Sequence, residues 1–375
     1  MSSRLTTIIQ QQSMLREQQG LHRRRHVTSP DTQVINFSSN DYLSLGSDRR
    51  VQQAYRTGFS QYPAGSGGSM VVCGYHSSHR TLEKCMAQAL QVDDGLLFSS
   101  GYAANLSVVS LLAQCGASLL IDKAVHASIY DGLKLANAQY HRYIHHDLND
   151  LAKKIKTASS NTVVMTESVF SMSGQHVSLA EVARLTRIAN MDLIVDEAHA
   201  FGVFGPQGLG GVAKAGLTQH DVPLRVIPFG KAMSASGAIV VGQSIWIDAL
   251  LQMRPAVYST AISPAYAHGI LETFEMVRHA DDRRKKLMDL VAYFRAAIDK
   301  SPLRWRDSSS PIQQLQVGCP YRATAIAEKL LAHSIVCLPM RQPTVTKEET
   351  GLRVILNYQH EPEHIDLLFQ CLHAS

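Results

Sequence analysis

The chain alternates short apolar runs with stretches whose apolar residues recur at helical spacing. LLFSS (96–100), SLLID (118–122), TVVMTES (162–168), LIVDEAH (193–199) and LRVIPFG (224–230) are near-continuous apolar runs of strand length. Between them, segments such as 179–190 place apolar residues three and four apart, as one face of a helix requires. Strands apolar on both faces and separated by helices predict a mostly parallel sheet covered by helices. The pattern changes in the last hundred residues. A charged helix beginning with DDRRKK (281–286) leads into alternating strands at 313–317 and 352–356, with helices at 323–333 and 365–372. This predicts a smaller α+β domain. At the other end, a polar helix up to residue 25 closes on the basic run 22–26, and a short strand follows at 33–37. The organisation expected is an N-terminal segment (1–45), a large domain (46–275) and a small C-terminal domain (276–375).

Composition narrows the class. With 375 residues, 45% of them hydrophobic and 18% charged, the chain has material for two or three packed domains. Lys plus Arg exceeds Asp plus Glu by 36 − 31 = 5, which suits an acidic substrate without demanding nucleic acid. Six scattered cysteines form no CxxC pair, which fits reduced thiols. The first twenty residues lack the layout of a signal peptide, and no apolar run reaches the length of a membrane span. A cytoplasmic protein with no membrane or nucleic-acid partner is expected.

The candidate chemistry lies where strands end. In an open α/β sheet, ligands bind beyond the carboxyl ends of the strands. Asp196 and His199 close the LIV strand there. The letters DEAH also suggest a nucleotide-hydrolysing box, but that reading needs a GxxxxGK[ST] loop. The only Gly-Lys pair, Gly230-Lys231, is followed by Ala232. No HExxH or zinc-spaced Cys/His set supports a metal. Lys231 follows the next apolar strand, where a lysine with a lowered pKa can form a Schiff base. A strand-end Asp, a nearby His and a downstream Lys are the parts a pyridoxal phosphate site needs. In SSGYAAN (99–105), a glycine between strand and helix offers backbone amides to a phosphate.

NFSSNDYLSLG (36–46), GSGGSMVVCGYHSSHRTLE (65–83), SSGYAANLSVV (99–109), DKAVHASIYDGL (122–133), TESVFSMSG (166–174), VDEAHAFGVFG (195–205) and FGKAMSASGA (229–238) together resemble the α-oxoamine synthases. The likeness covers nearly the whole chain, in the right order. It implies an aspartate-aminotransferase-like α/β fold (fold type I) with a pyridoxal 5′-phosphate cofactor. By that resemblance Lys231 is the Schiff-base lysine and proton-transfer base, Asp196 the partner of the pyridine nitrogen, and His199 a ligand of the ring hydroxyl. His126 stacks over the ring. Gly101 and Tyr102 cradle the cofactor, Ser171 contacts it, and Glu167 is an acid behind it. Arg353 takes the amino-acid carboxylate, a task that suits its planar fork. Arg23, Asn40, Ser69, Arg341 and Thr344 match substrate-facing positions. Ser259 and Thr260 match hydroxyls that reach the phosphate of the other subunit, which implies a homodimer with shared sites. NFSSNDYL, GSGGS and MRQPTV (340–345) point further, to the member of the family that makes a biotin precursor from L-alanine and a pimeloyl thioester, carried by acyl carrier protein or CoA. The alternatives are a sister synthase using glycine or serine with another acyl-CoA, an inactive cofactor-binding scaffold, and, least favoured, a nucleic-acid ATPase. The chain also departs from the family pattern. Pro228 stands where a phosphate-contacting threonine is usual, and Val125, Ser173, Gln175 and Phe201 replace polar residues.

Overall fold

The computed structural model describes residues 3–23, 25, 27 and 34–374. They divide into two compact units, one of Asn40–Ser171 and Gln175–Leu287, the other of Met1–Ser39, Met172–Gly174 and Met288–Ser375. The N-terminal residues therefore group with the C-terminal ones, and the division falls inside the helix Asp281–Ile298.

The larger unit is built on a seven-stranded sheet. Its spatial order is Asp94–Phe98, Ala238–Gly242, Leu224–Pro228, Leu193–Asp196, Thr162–Glu167, Ser118–Asp122 and Tyr140–Tyr143. The last five run parallel; Ala238–Gly242 is antiparallel to both of its neighbours. The architecture is thus the fold-type-I arrangement of a mixed, mainly parallel sheet. The five apolar runs are all strands, because each buries side chains on both faces. Leu193, Ile194 and Val195 are each 0% exposed, and burying each such side chain is worth roughly 1.5–3 kcal/mol. That gain holds the strand in place up to its ionisable end.

Two strands lie outside those predicted runs. Tyr140–Tyr143 (YHRY) sits at the sheet edge with three of its four residues exposed, so it carries no apolar run. Ala238–Gly242 is fully buried but follows directly on the Gly/Ser-rich loop after Lys231. Predicted boundaries also move inward. The segment 96–100 is a strand only through Phe98, because Ser100 leaves the ladder to cap the helix Gly101–Gln114, its Oγ accepting from Ala103 N at 3.1 Å. Pro228 is the last residue of its strand, paired with Ala238, at a position where the missing N–H costs least.

The smaller unit carries an antiparallel sheet of Pro339–Met340, Gly351–Ile355 and Ile312–Gln316, with the helices Pro320–Ala332 and Pro362–His373. Ile35–Asn36 pairs in parallel with Ile335–Val336. The predicted N-terminal helix spans Arg4–Gln18 and ends well before the basic run, where Arg24 and His26 lie outside the described residues. Gln33, placed in the predicted short strand, also lies outside them. No helix among the described residues is long and apolar enough to cross a membrane.

Candidate active site

Four parallel strands deliver the site's chemistry by ending together. Glu167 and Asp196 are register partners on neighbouring strands, so two carboxylates reach the same end of the sheet side by side. Asp196 turns the chain at once. Its Oδ1 accepts from Ala198 N at 2.9 Å, an Asx turn that brings His199 back beside it. From Pro228 the chain passes through Phe229 and Gly230 to Lys231, whose neighbour Ser234 N donates to the Lys231 carbonyl at 2.8 Å.

These pieces line one cavity of ≈ 320 Å³ with Ser99, Ser100, Gly101, Tyr102, Asn105, His126 and Ser236. That is at the small end of the range for ligand sites. At its wall, Gly101 begins a 14-residue helix. Ser100 satisfies only Ala103 N, which leaves the first amides for an anion. A side chain at position 101 is barred, since a Cβ there would lie 2.6 Å from Pro228 Cγ.

Burial sets the charges. Glu167, completely enclosed, is held well above the usual carboxylate range, first by loss of water and then by the nearby Asp196 charge. Its Oε1 accepts from the backbone N–H of His126, which opposes part of that rise. Burial also lowers the His126 pKa; Lys231 lowers it further, while Asp196 opposes both. His199 Nδ1 lies 2.6 Å from the hydroxyl of Tyr42, which is fully buried. Among the described residues no group of three or more His, Cys, Asp or Glu is placed to hold a metal.

Of the residues singled out from sequence, Lys231, Asp196, His199, His126, Glu167, Gly101 and Tyr102 line this cavity. Asn40 approaches through Tyr42, whose hydroxyl lies 3.4 Å from Asn40 Oδ1. Ser171 is buried and does not line this cavity. Ser259 and Thr260 line a separate cavity of ≈ 10 Å³ beside His79, and Thr260 bridges to Ser69. In the smaller unit, Arg23 donates to Thr344 Oγ1 at 2.8 Å and Arg341 donates to the Gly20 carbonyl at 2.6 Å. The nearby Arg23 charge helps to depress the Arg341 pKa, after burial. Neither arginine pairs with a carboxylate among the described residues, so two guanidinium groups stand close together with no counter-ion. Arg353 lies in the strand Gly351–Ile355 of the same unit.

Tyr42, Asn105, Ser128 and Glu197 escaped the sequence reading, although all four lie inside quoted motifs. Asn105 carried a usable signal, being a lone amide on the apolar face formed by Ala104, Val108 and Val109. Glu197 is wholly buried behind Asp196, accepting from Ser168 Oγ, Gly211 N and Val212 N at 2.8 Å each. Burial raises its pKa, and the amides of Val212 and Gly211 oppose that rise.

The amine, carboxylate, paired imidazoles and free helix amides form a donor set suited to an aromatic aldehyde that carries a phosphate. The comparisons agree with that chemistry. The model of the class I and II aminotransferase family matches residues 32–371. An 8-amino-7-oxononanoate synthase from Marinobacter nauticus is 36% identical over 370 residues, covering 96% of this chain and 94% of that protein. The crystal structure of an 8-amino-7-oxononanoate synthase from Francisella tularensis is 29% identical, covers 92% of this chain and 98% of that one, and superposes with a TM-score of 0.81. A lysine-to-alanine variant of serine palmitoyltransferase from S. paucimobilis, with a pyridoxal phosphate–myriocin adduct bound, superposes with a TM-score of 0.90 over 100% of this chain and 98% of that one. At 22% identity it shares the fold alone. The chain belongs to the class I and II aminotransferase family and, within it, to the α-oxoamine synthases, acyltransferases that work with pyridoxal phosphate.

Proposed function

We propose that this enzyme condenses L-alanine with a pimeloyl thioester, releasing CO2 and the free thiol and yielding 8-amino-7-oxononanoate, a step of biotin synthesis. One observation carries the chemistry: Lys231, Asp196, His199 and His126 line a single cavity whose wall begins a helix. The relatives that share this chain's length and more than a third of its residues support the choice of substrates.

Pyridoxal phosphate, when bound, draws off the electrons left when a bond to an amino acid's Cα breaks. The chain's own groups prepare and direct that chemistry. Lys231 Nζ would hold the cofactor aldehyde until an amino acid displaces it, and would then take the α-proton. The Asp196 carboxylate, with a donor on each oxygen, would partner the ring nitrogen and favour its protonated form. His199, braced by Tyr42, would meet the ring hydroxyl, and Gly101 and Tyr102 the phosphate. Arg353 would take the alanine carboxylate, Arg23, Arg341 and Thr344 the far carboxylate of the pimeloyl chain, and Asn40 and Ser69 further substrate contacts. Two cations without a counter-ion suit a diacid tail better than a plain fatty acyl chain. The functional unit is a homodimer in which Ser259 and Thr260 of one subunit reach the phosphate site of the other.

The test is turnover with alanine, glycine or serine against pimeloyl-CoA, pimeloyl carrier protein and a plain acyl-CoA. Alanine with a pimeloyl donor should exceed every other pairing. Product from glycine or serine at equal or greater rate overturns the substrate assignment.

A further inference from the structure

Two side chains, Ser128 outside the lining of the cavity and Asn105 within it, connect His126 to Asp196. Ser128, 0% exposed, presents its backbone N–H to His126 Nδ1 at 3.3 Å and its hydroxyl to the same nitrogen at 2.8 Å. The N–H can only donate. With Nδ1 already an acceptor for that N–H, the hydroxyl, which accepts from Asn105 Nδ2 at 3.0 Å, gives its own proton to Nδ1. A nitrogen that receives two donors carries no proton, and the imidazole proton of His126 therefore sits on Nε2. The second proton of the Asn105 amide goes to Asp196 Oδ2 at 2.8 Å, while Ala198 N serves Oδ1. Both Asp196 oxygens thus accept a hydrogen bond.

The Asn105 amide cannot turn over. Reversed, its oxygen would face the Asp196 carboxylate and its two protons would lose both acceptors. The orientation is held even though Asn105 Oδ1 is buried with no hydrogen-bond partner. Leaving such an acceptor unpaired costs about 1–3 kcal/mol, so the two bonds on the nitrogen side outweigh that cost.

We infer that Asn105 and Ser128 are positioning residues that join the two poles of the cofactor pocket. One amide holds Asp196 as a hydrogen-bond acceptor and, through the Ser128 hydroxyl, fixes His126 as the neutral Nε2–H tautomer. Other charged groups facing His126 are Lys231 and Asp131, and Glu167 takes its backbone N–H. None of these contacts Nδ1, so the tautomer rests on Ser128. The inference depends on the pyridoxal-phosphate reading of the pocket and is independent of which amino acid or acyl donor the enzyme uses.

The experiment uses full-length enzyme reconstituted with pyridoxal phosphate, as wild type, Ser128→Ala and Asn105→Ala, without substrate. Three quantities are read: the nitrogen shifts of labelled histidines, with the His126 signal assigned by its loss in His126→Gln; the pH midpoint of the bound cofactor's absorption bands; and the cofactor dissociation constant. Wild type should show the Nε2–H form of His126. Ser128→Ala should add the Nδ1–H or doubly protonated form and shift the midpoint. Asn105→Ala should do the same and weaken cofactor binding by roughly 10- to 100-fold, as loss of a hydrogen bond to a charged group predicts. Unchanged tautomer and midpoint in both variants, even with a lower melting temperature, overturn the inference and leave a purely structural role. Should Asn105→Ala fail to fold, the tautomer in Ser128→Ala decides alone. A wild-type protein that forms no cofactor absorption band would instead sink the reading of the pocket. A normal band without turnover of alanine would sink only the choice of substrate.

Discussion

At the scale of single residues, the pocket separates two neighbouring carboxylates by what surrounds them. Asp196 has a donor on each oxygen, whereas Glu167, beside it on the same cavity lining, is pushed toward the protonated form by burial and by the Asp196 charge. Asp196→Asn keeps shape and volume but removes that charge. Turnover should fall roughly 10³-fold or more, with a melting temperature close to wild type. Lys231→Ala should fall at least as far, because in the proposed mechanism it removes both the covalent anchor and the proton-transfer base. Borohydride reduction of the wild type should attach the cofactor to the peptide containing Lys231; a label recovered on any other lysine would refute the assignment. The residue types and their order made Lys231 and Asp196 legible from the sequence. Tyr42 and Ser128 were not, because a hydroxyl shows no sign of the imidazole it meets until the chain is folded.

At the scale of elements, the decisive joint is where strand Leu224–Pro228 meets the start of helix Gly101–Gln114. The Pro228 ring fills the space a side chain at position 101 would need. Gly101→Ala should cost about 1–3 kcal/mol of stability by overpacking and weaken retention of the phosphate-bearing cofactor, measured by calorimetry and by dialysis against cofactor-free buffer. At the same strand end Pro228 closes the strand and packs against Gly101, while Gly101, Tyr102 and Ser236 line the cavity.

A second joint ties helix Ser77–Leu90 to strand Asp94–Phe98. Glu83, 1% exposed, accepts from Leu97 N at 3.1 Å and from the Tyr75 hydroxyl. Burial pushes its pKa up from 4.5 to about 7, and the bonds to Tyr75 and Leu97 oppose the rise. Below the unfolded value of 4.5 both states hold the proton and this joint contributes fully. As pH rises toward 7 the unfolded chain loses its proton first, so stability falls by about 3 kcal/mol across that window. Glu83→Gln should flatten the melting temperature between about pH 4.5 and 7 and melt higher than wild type above it. Equal slopes in the two proteins would remove Glu83 as the cause.

At the scale of the whole molecule, the two units carry different parts of the proposed chemistry. The larger holds the cofactor-type cavity; the smaller holds Arg23, Arg341, Thr344 and Arg353. Arg341→Ala should raise KM for the pimeloyl donor by roughly 10- to 100-fold, the worth of a charge-assisted hydrogen bond, while KM for alanine stays within about two-fold of wild type. A parallel rise in both would show a general loss of structure. If the enzyme is the proposed homodimer, sedimentation should give twice the chain mass of 41.2 kDa.

The sequence by itself determined the alternation of buried strands with helices, and so the mostly parallel sheet, because apolar runs have a single way to leave water on both faces. It also determined which ionisable residues stand at strand ends, since chain order and register fix that locally. The tertiary structure decided the rest. The edge strand Tyr140–Tyr143 exists only because Ser118–Asp122 offers it a ladder. Ala238–Gly242 runs against its neighbours because the chain reverses after Lys231 and re-enters between Asp94–Phe98 and Leu224–Pro228. The path from His126 through Ser128 and Asn105 to Asp196 joins residues as far as 91 positions apart in sequence. No local pattern encodes such a path, because each hydrogen bond depends on distances that packing alone sets.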